Sequence, residues 1–225
     1  MSSSVDTGMR SSFGFWDMVR AGFSILALVL AAVPMTMTAL IVWAVLGRPV
    51  LFKQIRAGMG TTPFTIYKFR TMHDTRDSAG NLLPDEDRIT PVTKLIRQLR
   101  FDELPQLISI LRGDMALVGP RPLKPETIEE LGRLGYHRCK VRPGLAGWAQ
   151  VNGATLLKNP QKVALDVWYV ENRTFLLDVR ILVMAVGTVL FGERTNMKRV
   201  EQAEAFVATL EENRDRPKMN EETAP

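Results

Sequence analysis

The chain has 225 residues and a mean hydropathy of -0.01, which allows one ordinary domain with appendages but not two large domains. Hydrophobic residues make up 46% of it and charged residues 24%, so the composition excludes wholesale disorder. A single cysteine excludes an intramolecular disulfide and a cysteine-rich zinc site. The formal net charge of +5 suits phosphates, nucleotides or an anionic membrane surface.

An uncharged apolar run occupies residues 21–46. As a helix it would extend about 39 Å, which exceeds the roughly 30 Å hydrocarbon core of a bilayer. Basic residues flank both ends, and the positive-inside rule then places both ends in the cytoplasm. Pro34 removes a helical hydrogen bond near the middle, and Thr36 and Thr38 are placed to satisfy the disturbed backbone. We therefore predict a re-entrant helix broken near Pro34; a kinked spanning helix is the alternative.

The elements before and after this run are predicted as follows. Residues 1–12 are typical of a loose N-terminus, and residues 13–20 of a short interfacial helix. Alternating residues predict a strand over 64–72, followed by a polar loop over 73–91. Residues 141–153 are rich in glycine and are predicted to be irregular. Helices are predicted over 93–99, 105–112 (ended by Gly113), 123–134, 175–191 and 200–210.

The last two helices have different patterns. Asp178 and Arg180 make a second membrane span less favoured for residues 175–191 than a helix in the interface or in the core. Residues 200–210 carry apolar side chains at a 3-4-3 spacing within a charged tail, which predicts a short partner-binding helix.

The carboxylates Asp102 and Glu103 directly precede Leu104-Pro105, and a proline there favours the first turn of the helix predicted over 105–112. The helix dipole and the nearby Arg97 would keep both carboxylates ionised. An ionised aspartate can attack phosphorus, and an adjacent carboxylate can hold Mg²⁺ beside phosphates. The alternative is that both residues only cap the helix.

Further candidate residues lie in polar or rigid stretches. Lys68 and Arg70 lie on the predicted strand, and Arg121 lies between two prolines that stiffen the backbone for a phosphate contact. The alternative for each cation is a solvated surface position. Asp166 is a lone acid among apolar residues, so it either supports the site or pairs with a nearby arginine. Trp148 is predicted to stack on a base or to lie at the membrane interface.

Other chemistries have less support. The Asp-Glu-Asp spacing of residues 85–87 occurs in glycosyltransferases that hold a metal-bound nucleotide sugar, but here it lies in a polar loop and predicts a solvated turn. Cys139 lies among cations that would lower its pKa, yet the chain has only two histidines to act as its base. The sequence contains neither a phosphate-binding glycine loop nor a nucleic-acid-binding module.

Short motifs in chain order resemble the bacterial sugar transferase family, whose small members are monotopic phosphoglycosyl transferases. The resemblance runs from about residue 48 to residue 190. One such motif would be weak, but together and in register they are specific. The motifs are Lys68-Phe69-Arg70-Thr71-Met72, Asp87-Arg88-Ile89-Thr90, Arg97 with Asp102-Glu103-Leu104-Pro105-Gln106-Leu107, Gly113-Asp114-Met115, Val118-Gly119-Pro120-Arg121-Pro122, Arg142-Pro143-Gly144, Ala149-Gln150-Val151-Asn152-Gly153, and Asp166 with Tyr169.

The resemblance implies an enzyme that transfers a phospho-sugar from a UDP-sugar to polyprenyl (undecaprenyl) phosphate and releases UMP by a ping-pong mechanism. In the family's terms, Asp102 attacks the sugar-bearing phosphate, and the lipid phosphate then attacks the aspartyl intermediate. Asp102 and Glu103 would be catalytic and would hold Mg²⁺. Substrate-binding roles are implied for Lys68, Arg70, Arg97, Arg121, Arg142, Gln150 and Asp166.

The resemblance also implies a mixed α/β, predominantly helical fold: a re-entrant membrane helix and a cytoplasm-facing catalytic domain with interfacial amphipathic helices. The expected divisions are an N-terminal segment (1–20), the membrane helix (21–47), the catalytic domain (48–192) and a charged tail (193–225). The expected location is the bacterial inner membrane. The expected partners are membrane lipid, a second copy of the chain or downstream glycosyltransferases, and not nucleic acid.

The sequence departs from the family pattern at several positions. Ala154 stands where small members usually carry an arginine after Asn-Gly, and Val33 stands where a serine precedes the helix-breaking proline. The rival hypotheses are a catalytically inactive membrane scaffold and a glycosyltransferase that moves the sugar alone and releases UDP. Similarity to the smallest members favours an acetamido sugar, with a hexose open.

Overall fold

A computed structural model describes the backbone of residues 15–215 and the side chains of residue 22 and residues 29–212. The predicted fold class, mixed α/β and predominantly helical, is confirmed. The elements in chain order are α1 (Phe15–Leu46), β1 (Leu51–Ala57), a 3-10 turn (Met59–Thr61), β2 (Pro63–Phe69), α2 (Asp85–Arg88), α3 (Pro91–Gln98), a 3-10 turn (Phe101–Gln106), α4 (Leu107–Arg112), β3 (Ala116–Val118), α5 (Pro125–Glu130), α6 (Gly132–Arg138), β4 (Gly144–Ala146), α7 (Trp148–Val151), a 3-10 turn (Ala154–Leu156), α8 (Asn159–Asn172), α9 (Phe175–Phe191) and α10 (Met197–Asp215).

The long helix α1 includes two segments that the sequence predicts separately. Residues 15–20, predicted as an interfacial helix, form its first turns, while residues 1–14 lie outside the described residues. Within the part of the chain that the structure describes, one helix is long and apolar enough to cross a membrane, and its most apolar window is Val29–Leu46.

The helix continues through Pro34. The hydroxyl of Thr36 donates to the carbonyl oxygen of Ala32 at 2.8 Å, and that of Thr38 donates to the carbonyl oxygen of Pro34 at 2.7 Å. Bonds of this kind from a threonine to the preceding turn bend helices. Both threonines therefore contact the backbone around Pro34.

One face of α1 packs against the rest of the chain. Its buried or half-buried side chains recur every third or fourth residue, at Ala31, Met35, Thr38 and Val42. Ala31, Met35 and Val42 pack in hydrophobic clusters with residues of β2, α3 and α4. The opposite face remains apolar and exposed, and its large side chains are Val29, Leu30, Val33, Met37, Leu40, Ile41 and Trp43.

The strand predicted over 64–72 is β2, which pairs antiparallel with β1. Phe52 lies opposite Lys68 in this pair, so their side chains are on the same face. The helix predicted from residue 93 begins at Pro91, because proline suits the first helical position and Thr90 caps the helix by accepting a hydrogen bond from the Thr93 amide at 3.2 Å.

The helix predicted over 105–112 starts later than expected. Residues Phe101–Gln106 form a 3-10 turn that the chain enters through Arg100, whose φ of 59° lies in the left-handed region. The α-helix begins only at Leu107, and Gly113 ends it with a φ of 84°, as predicted. The two carboxylates at 102 and 103 are therefore held inside a tight turn rather than ahead of a helix.

Two other predicted segments are divided differently. The prediction of one continuous helix over 123–134 is wrong: α5 ends at Glu130, and α6 begins at Gly132, whose φ of 55° interrupts the helical backbone. The segment predicted to be irregular, 141–153, contains strand β4 and the short helix α7. Both elements form through contacts with distant parts of the chain, since β4 pairs in parallel with β3.

The β3–β4 pair brings two backbones unusually close at the end of the strands. A Cβ atom on Gly144 would overlap the backbone of Gly119, and one on Gly119 would overlap the carbonyl of Arg142. A Cβ atom on Gly147 would likewise lie only 2.6 Å from the carbonyl oxygen of Gly119. The glycines are required here because any side chain would push the turn after β3 away from β4.

The helix predicted to bind a partner lies in the core instead. Val200, Ala203 and Val207 of α10 are buried against α8, and they belong to the main hydrophobic cluster. The prediction is wrong because the 3-4-3 apolar stripe finds its partner within the same chain. The expected tail after residue 192 thus contributes a helix to the fold up to residue 215, and residues 216–225 lie outside the described residues.

The prediction for Trp148 is also wrong. Its ring is buried, stacks on Trp168 with a centroid distance of 5.5 Å and lies under the guanidinium of Arg199 at 4.8 Å. Arg199 also donates to the side-chain oxygen of Asn152 at 2.9 Å. The indole is therefore part of the core that joins α7, α8 and α10, where no base or lipid reaches it.

Helix α9 packs in the core on one side, as one of its two predicted alternatives requires, and its location in the membrane interface stays a prediction. Ile181 is fully buried in the core, and Asp178 accepts a hydrogen bond from the Tyr169 hydroxyl at 2.7 Å. The outer face is exposed and mostly apolar, with Arg180 as a charged residue on it. Its large apolar side chains are Phe175, Leu176, Val179, Val183, Val186, Leu190 and Phe191.

We expect Ala203→Asp to destabilise the protein, because it places an unpaired charge in the contact between α10 and α8. Ala205→Asp is the matched control, because Ala205 is exposed on the same helix. Thermal unfolding of the full chain should show a clearly lower midpoint for Ala203→Asp alone. Equal midpoints would mean that α10 is not part of the core.

Gly144→Ala should destabilise the chain by about 1–3 kcal/mol, a typical cost of overpacking, because the added methyl meets the backbone of Gly119. Gly187→Ala on α9 is the control, since its Cβ would meet nothing within 4 Å. Denaturant unfolding measures both variants. A Gly144→Ala protein as stable as the control would contradict the close approach of β3 and β4.

Candidate active site

An open cleft of about 1860 Å³ collects most of the predicted site residues. It lies between the β1–β2 hairpin, α3, the turn 101–106 and α8. Arg142 does not line it. The predicted residues that line it are Lys68, Arg70, Arg97, Asp102, Glu103, Arg121, Gln150 and Asp166.

Glu103 is a buried carboxylate at the centre of a group of cations. Its Oε1 accepts hydrogen bonds from Lys68 Nζ at 2.6 Å and from Arg121 Nη2 at 2.7 Å, and its Oε2 lies 3.9 Å from Arg100 Nη1. Burial by itself would raise the pKa of Glu103, but the charges and hydrogen bonds of Arg121 and Lys68 lower it to about 2. Glu103 is therefore a permanent anion, unsuited to take up a proton near neutral pH.

Asp102, the adjacent residue, has the opposite surroundings. Burial and the neighbouring charge of Glu103 raise the pKa of Asp102 to about 6, although the charges of Lys68 and Arg97 oppose the rise. Its Oδ1 is buried and has no hydrogen-bond partner within the described residues. The carboxylate is thus mostly ionised at neutral pH but weakly held, a combination typical of a nucleophile.

A buried ion pair between Arg138 and Asp166 holds the turn that carries Arg121 in place. Arg138 Nη2 donates to Asp166 Oδ2 at 2.5 Å and to the carbonyl oxygen of Arg121 at 2.8 Å. Asp166 thus pairs with an arginine, one of the two predicted alternatives, and through that arginine it holds the Arg121 backbone. Its second oxygen, Oδ1, is buried without a partner within the described residues.

The other predicted substrate-binding residues differ in what they contact. Arg70 donates to the carbonyl oxygens of Leu46 and Gly47, so it caps the C-terminal end of α1. Arg97 is exposed in the cleft on the last turn of α3. Gln150 donates to the Leu145 carbonyl at 3.3 Å and leaves its own side-chain oxygen buried. Their substrate-binding roles remain predictions.

Glu193 lines the cleft but is not among the site residues that the sequence predicts. Its Oε1 accepts a hydrogen bond from Arg100 at 3.3 Å, and its Oε2 accepts hydrogen bonds from the amide and the hydroxyl of Thr155 at 2.9 and 2.5 Å. Ala154, the departure from the family pattern, lines the cleft beside Thr155 with a φ of 40°. Neither spacing nor motif pointed to Glu193, because its partners lie 38 and 93 residues away.

Arg138 is also absent from the predicted site residues. From the sequence, the cations of residues 137–140 are predicted to lower the pKa of the Cys139 thiol. In the structure, burial raises the pKa of that thiol in spite of the charge of Arg138. The useful signal was Asp166, since a lone acid among apolar residues requires a cation, but the sequence could not say which one.

The acidic stretch 85–87 lies on the short helix α2. Its Asp85 lies 3.4 Å from Arg88, and all three acidic side chains are exposed. Within the described residues there is no cluster of three or more histidine, cysteine or acidic side chains suited to hold a metal by themselves. A metal in the cleft would need oxygen ligands from its substrate.

Asp102 and Glu103, which we call the dyad, nevertheless suit an Mg²⁺ ion that they would share with substrate phosphates. One oxygen of each carboxylate, Asp102 Oδ1 and Glu103 Oε2, accepts no hydrogen bond within the described residues. Mg²⁺ is commonly held by one or two carboxylates, with substrate phosphates and waters completing the octahedron. The residues present are thus compatible with Mg²⁺ once phosphates occupy the cleft.

Taken together, the cleft can perform one type of chemistry well. A weakly held aspartate lies next to at least three cations that can stabilise charge on a phosphate. Glu103 keeps Lys68 and Arg121 in place, and the ion pair of Asp166 keeps the Arg121 backbone in place. This arrangement suits attack of Asp102 on phosphorus.

Comparisons with known proteins identify the family. The family described as bacterial sugar transferase matches residues 15–192. The chain is 49% identical over 164 residues to an uncharacterized sugar transferase, EpsL, of Bacillus subtilis (strain 168), which covers 73% of this chain and 81% of that protein. It is 38% identical over 187 residues to the UDP-N-acetylgalactosamine-undecaprenyl-phosphate N-acetylgalactosaminephosphotransferase of Aeromonas hydrophila, over 77% of this chain and 44% of the relative.

A third relative is the undecaprenyl-phosphate glucose phosphotransferase of Komagataeibacter xylinus, 35% identical over 202 residues, which cover 81% of this chain and 38% of the relative. The chain thus spans less than half the length of these two named phosphotransferases. The matched region contains the dyad, Lys68 and Arg121, so the resemblance seen in the motifs is confirmed. The chain belongs to the bacterial sugar transferase family.

Proposed function

We propose that this protein is a phosphoglycosyl transferase that moves a phospho-sugar from a UDP-sugar to polyprenyl (undecaprenyl) phosphate. The observation that carries the proposal is the contrast within the dyad: Glu103 accepts hydrogen bonds from Lys68 and Arg121 through its Oε1, whereas the buried Oδ1 of Asp102 has no partner within the described residues. The names of the relatives from Aeromonas hydrophila and Komagataeibacter xylinus, both undecaprenyl-phosphate sugar phosphotransferases, support it.

The reaction would proceed in two displacements. An oxygen of Asp102 forms a bond to the sugar-bearing phosphorus, and the bond from that phosphorus to the bridging oxygen breaks, so that UMP leaves with the electron pair. After UMP departs, a phosphate oxygen of the lipid forms a bond to the same phosphorus. The bond to Asp102 then breaks and regenerates the carboxylate, which gives polyprenyl-diphospho-sugar.

The cations would stabilise the charge that develops on the phosphate oxygens. Lys68 and Arg121 both reach Glu103, so their positive ends are already fixed before substrate binds and need little reorganisation during the reaction. Arg97, exposed in the same cleft, would contact a second phosphate. Mg²⁺, held by Asp102, Glu103 and phosphate oxygens, would neutralise further negative charge.

The packing of α1 supports insertion into one leaflet rather than a crossing. The turns ahead of Ala31 extend only about 24 Å, less than the roughly 30 Å hydrocarbon core. From Ala31 onward, one face of the helix packs on the catalytic domain. We infer a re-entrant helix whose two ends face the cytoplasm, with the domain on the cytoplasmic side of the bacterial inner membrane.

The exposed apolar faces of α1 and α9 would then contact lipid, because together they present far more large apolar side chains to solvent than a soluble surface normally does. The sugar itself stays open. The names of the relatives divide between an acetamido sugar and glucose, so the donor is to be found with a panel of both classes.

Asp102→Asn should reduce UMP release from the correct UDP-sugar by more than about 1,000-fold, because the amide cannot act as the nucleophile. The measurement uses full-length protein with Mg²⁺, a panel of UDP-sugars and undecaprenyl phosphate, and identifies the released nucleotide. Without the lipid acceptor, mass spectrometry should find one phospho-sugar on the wild-type protein and none on the variant.

Asp85→Asn is the matched control, and it also tests the sugar-only alternative. Asp85 is an exposed carboxylate of the acidic stretch, so we expect wild-type activity from this variant. Release of UDP in place of UMP, with activity lost in Asp85→Asn, would contradict the proposal. Wild-type protein that releases no nucleotide from any donor would favour the inactive scaffold.

The re-entrant topology predicts that both sides of α1 react from the same side of the membrane. Cysteines introduced singly as Ser11→Cys and Asp77→Cys should both react with a membrane-impermeant maleimide in inverted vesicles and not in intact spheroplasts. The native Cys139 is buried, so its background labelling should be low. Labelling of the two positions from opposite sides would show a spanning helix.

A further inference from the structure

One side of the cleft is apolar, and its residues have no role in the displacements proposed at Asp102. Phe52 and Leu51 of β1 and Leu95 and Leu99 at α3 all line the cleft, and all four are exposed large apolar side chains. We call these four residues the apolar wall. The polar residues Gln150, Thr155 and Glu193 also line the same cleft but belong to distant segments of the chain.

The apolar wall reaches the reacting centre. Phe52 lies directly opposite Lys68 across the hairpin, on the face from which Lys68 Nζ bonds to Glu103. Leu99 precedes Asp102 by three residues, and Leu95 lies one helical turn further from it along α3. A chain of apolar groups laid on the wall would thus have one end at the dyad.

Two residues of the wall belong to α3, a helix that packs on α1 through a different residue. Ile96, on the inner side of α3, packs in one cluster with Val42 of α1 and Phe69 of β2. Leu95 and Leu99, one turn apart on α3, are instead exposed, at 53% and 36%. Helix α3 therefore packs on α1 and β2 through Ile96 and leaves Leu95 and Leu99 exposed in the cleft, next to the turn that holds Asp102.

The charges along the wall suit a single negative head at its inner end. Arg97, also on α3, is exposed in the cleft, and its charge acts on Asp102. Lys68 stands beside Phe52. A ligand that fits is a phosphate monoester with a long hydrocarbon chain: the head contacts these cations, and the chain covers the leucines.

We propose that the apolar wall is the binding groove for the isoprenoid chain of the lipid phosphate acceptor, with Leu95 contacting a part of the chain beyond its first units. This inference rests on the proposed function and assigns one side of the cleft to the second substrate. The UDP-sugar then occupies the polar side, whose buried acceptors Gln150 Oε1 and Asp166 Oδ1 can be satisfied by hydroxyl or amide donors but not by an isoprenoid chain.

The test compares Leu95→Gln with Leu190→Gln in full-length protein reconstituted in nanodiscs of fixed lipid composition. Leu190 is an equally large leucine on α9, 67% exposed and outside the cleft. Three quantities are measured for each: the KM for undecaprenyl phosphate, the KM for geranyl phosphate, and the rate of UMP release without any acceptor.

We expect Leu95→Gln to raise the KM for undecaprenyl phosphate about ten-fold, since a buried leucine contact with a hydrocarbon is replaced by a polar one. The KM for the short geranyl phosphate should not change, because its chain ends before Leu95. Leu99→Gln, one turn nearer to Asp102, should raise the KM for both acceptors. Leu190→Gln should leave all three quantities at the wild-type value.

Other outcomes overturn the assignment in distinguishable ways. Slower UMP release by Leu95→Gln without acceptor would place the donor on the wall, and equal effects of Leu95→Gln and Leu190→Gln would show that both leucines only contact bilayer lipid. An unchanged KM for undecaprenyl phosphate would leave the wall without this ligand. Failure of the wild-type protein to release UMP would instead contradict the proposed function itself.

Discussion

The hydrogen-bonded ion pairs of Glu103 are the interaction on which the site depends. A buried carboxylate is stable only if cations and donors compensate its charge, and here Lys68 and Arg121 do so through the same oxygen. Lys68 comes from β2, Glu103 from the turn 101–106, and Arg121 from the turn after β3, so three segments meet at one atom. Those segments have their own supports: α1 packs on β2, and the glycines of β3 and β4 set the position of the Arg121 turn.

This arrangement explains how two neighbouring carboxylates can have different properties. Glu103 takes the nearest hydrogen-bond donors, and Asp102 is left with an unpartnered oxygen and a pKa raised by burial and by the charge of Glu103. Had the cations been shared equally, the pKa of Asp102 would fall, and its oxygen would be a weaker nucleophile. The backbone imposes the inequality, because the left-handed Arg100 and the 3-10 turn point the two side chains into different surroundings.

The sequence predicted those parts of the protein that depend on neighbouring residues. Pro105 and Gly113 marked the ends of the segment that holds the dyad, and alternation located β2. The residues that it misplaced depend on distant partners. The sequence predicts Trp148 and α10 as surface features, because nothing in either segment shows that the two pack on each other. Arg138 and Glu193 became visible only when their partners, 28 and 38 residues away, were brought into contact. Arg142 matched a motif, yet its backbone, rather than its side chain, meets Gly119.

The position of the dyad between two kinds of surface follows from the same packing. Because α1 presents one face to β2 and α3 and the other to the surroundings, the polar centre of the cleft cannot lie far from the apolar exterior. A lipid phosphate keeps its chain in hydrocarbon and its head in water, whereas a nucleotide sugar has no apolar chain to bury. The cleft has cations in the middle, apolar side chains on one wall and hydrogen-bond acceptors on another. In the proposed reaction, this arrangement would allow each substrate to reach Asp102 from its own phase. The covalent intermediate of the proposed mechanism would make it unnecessary for both to be present at once.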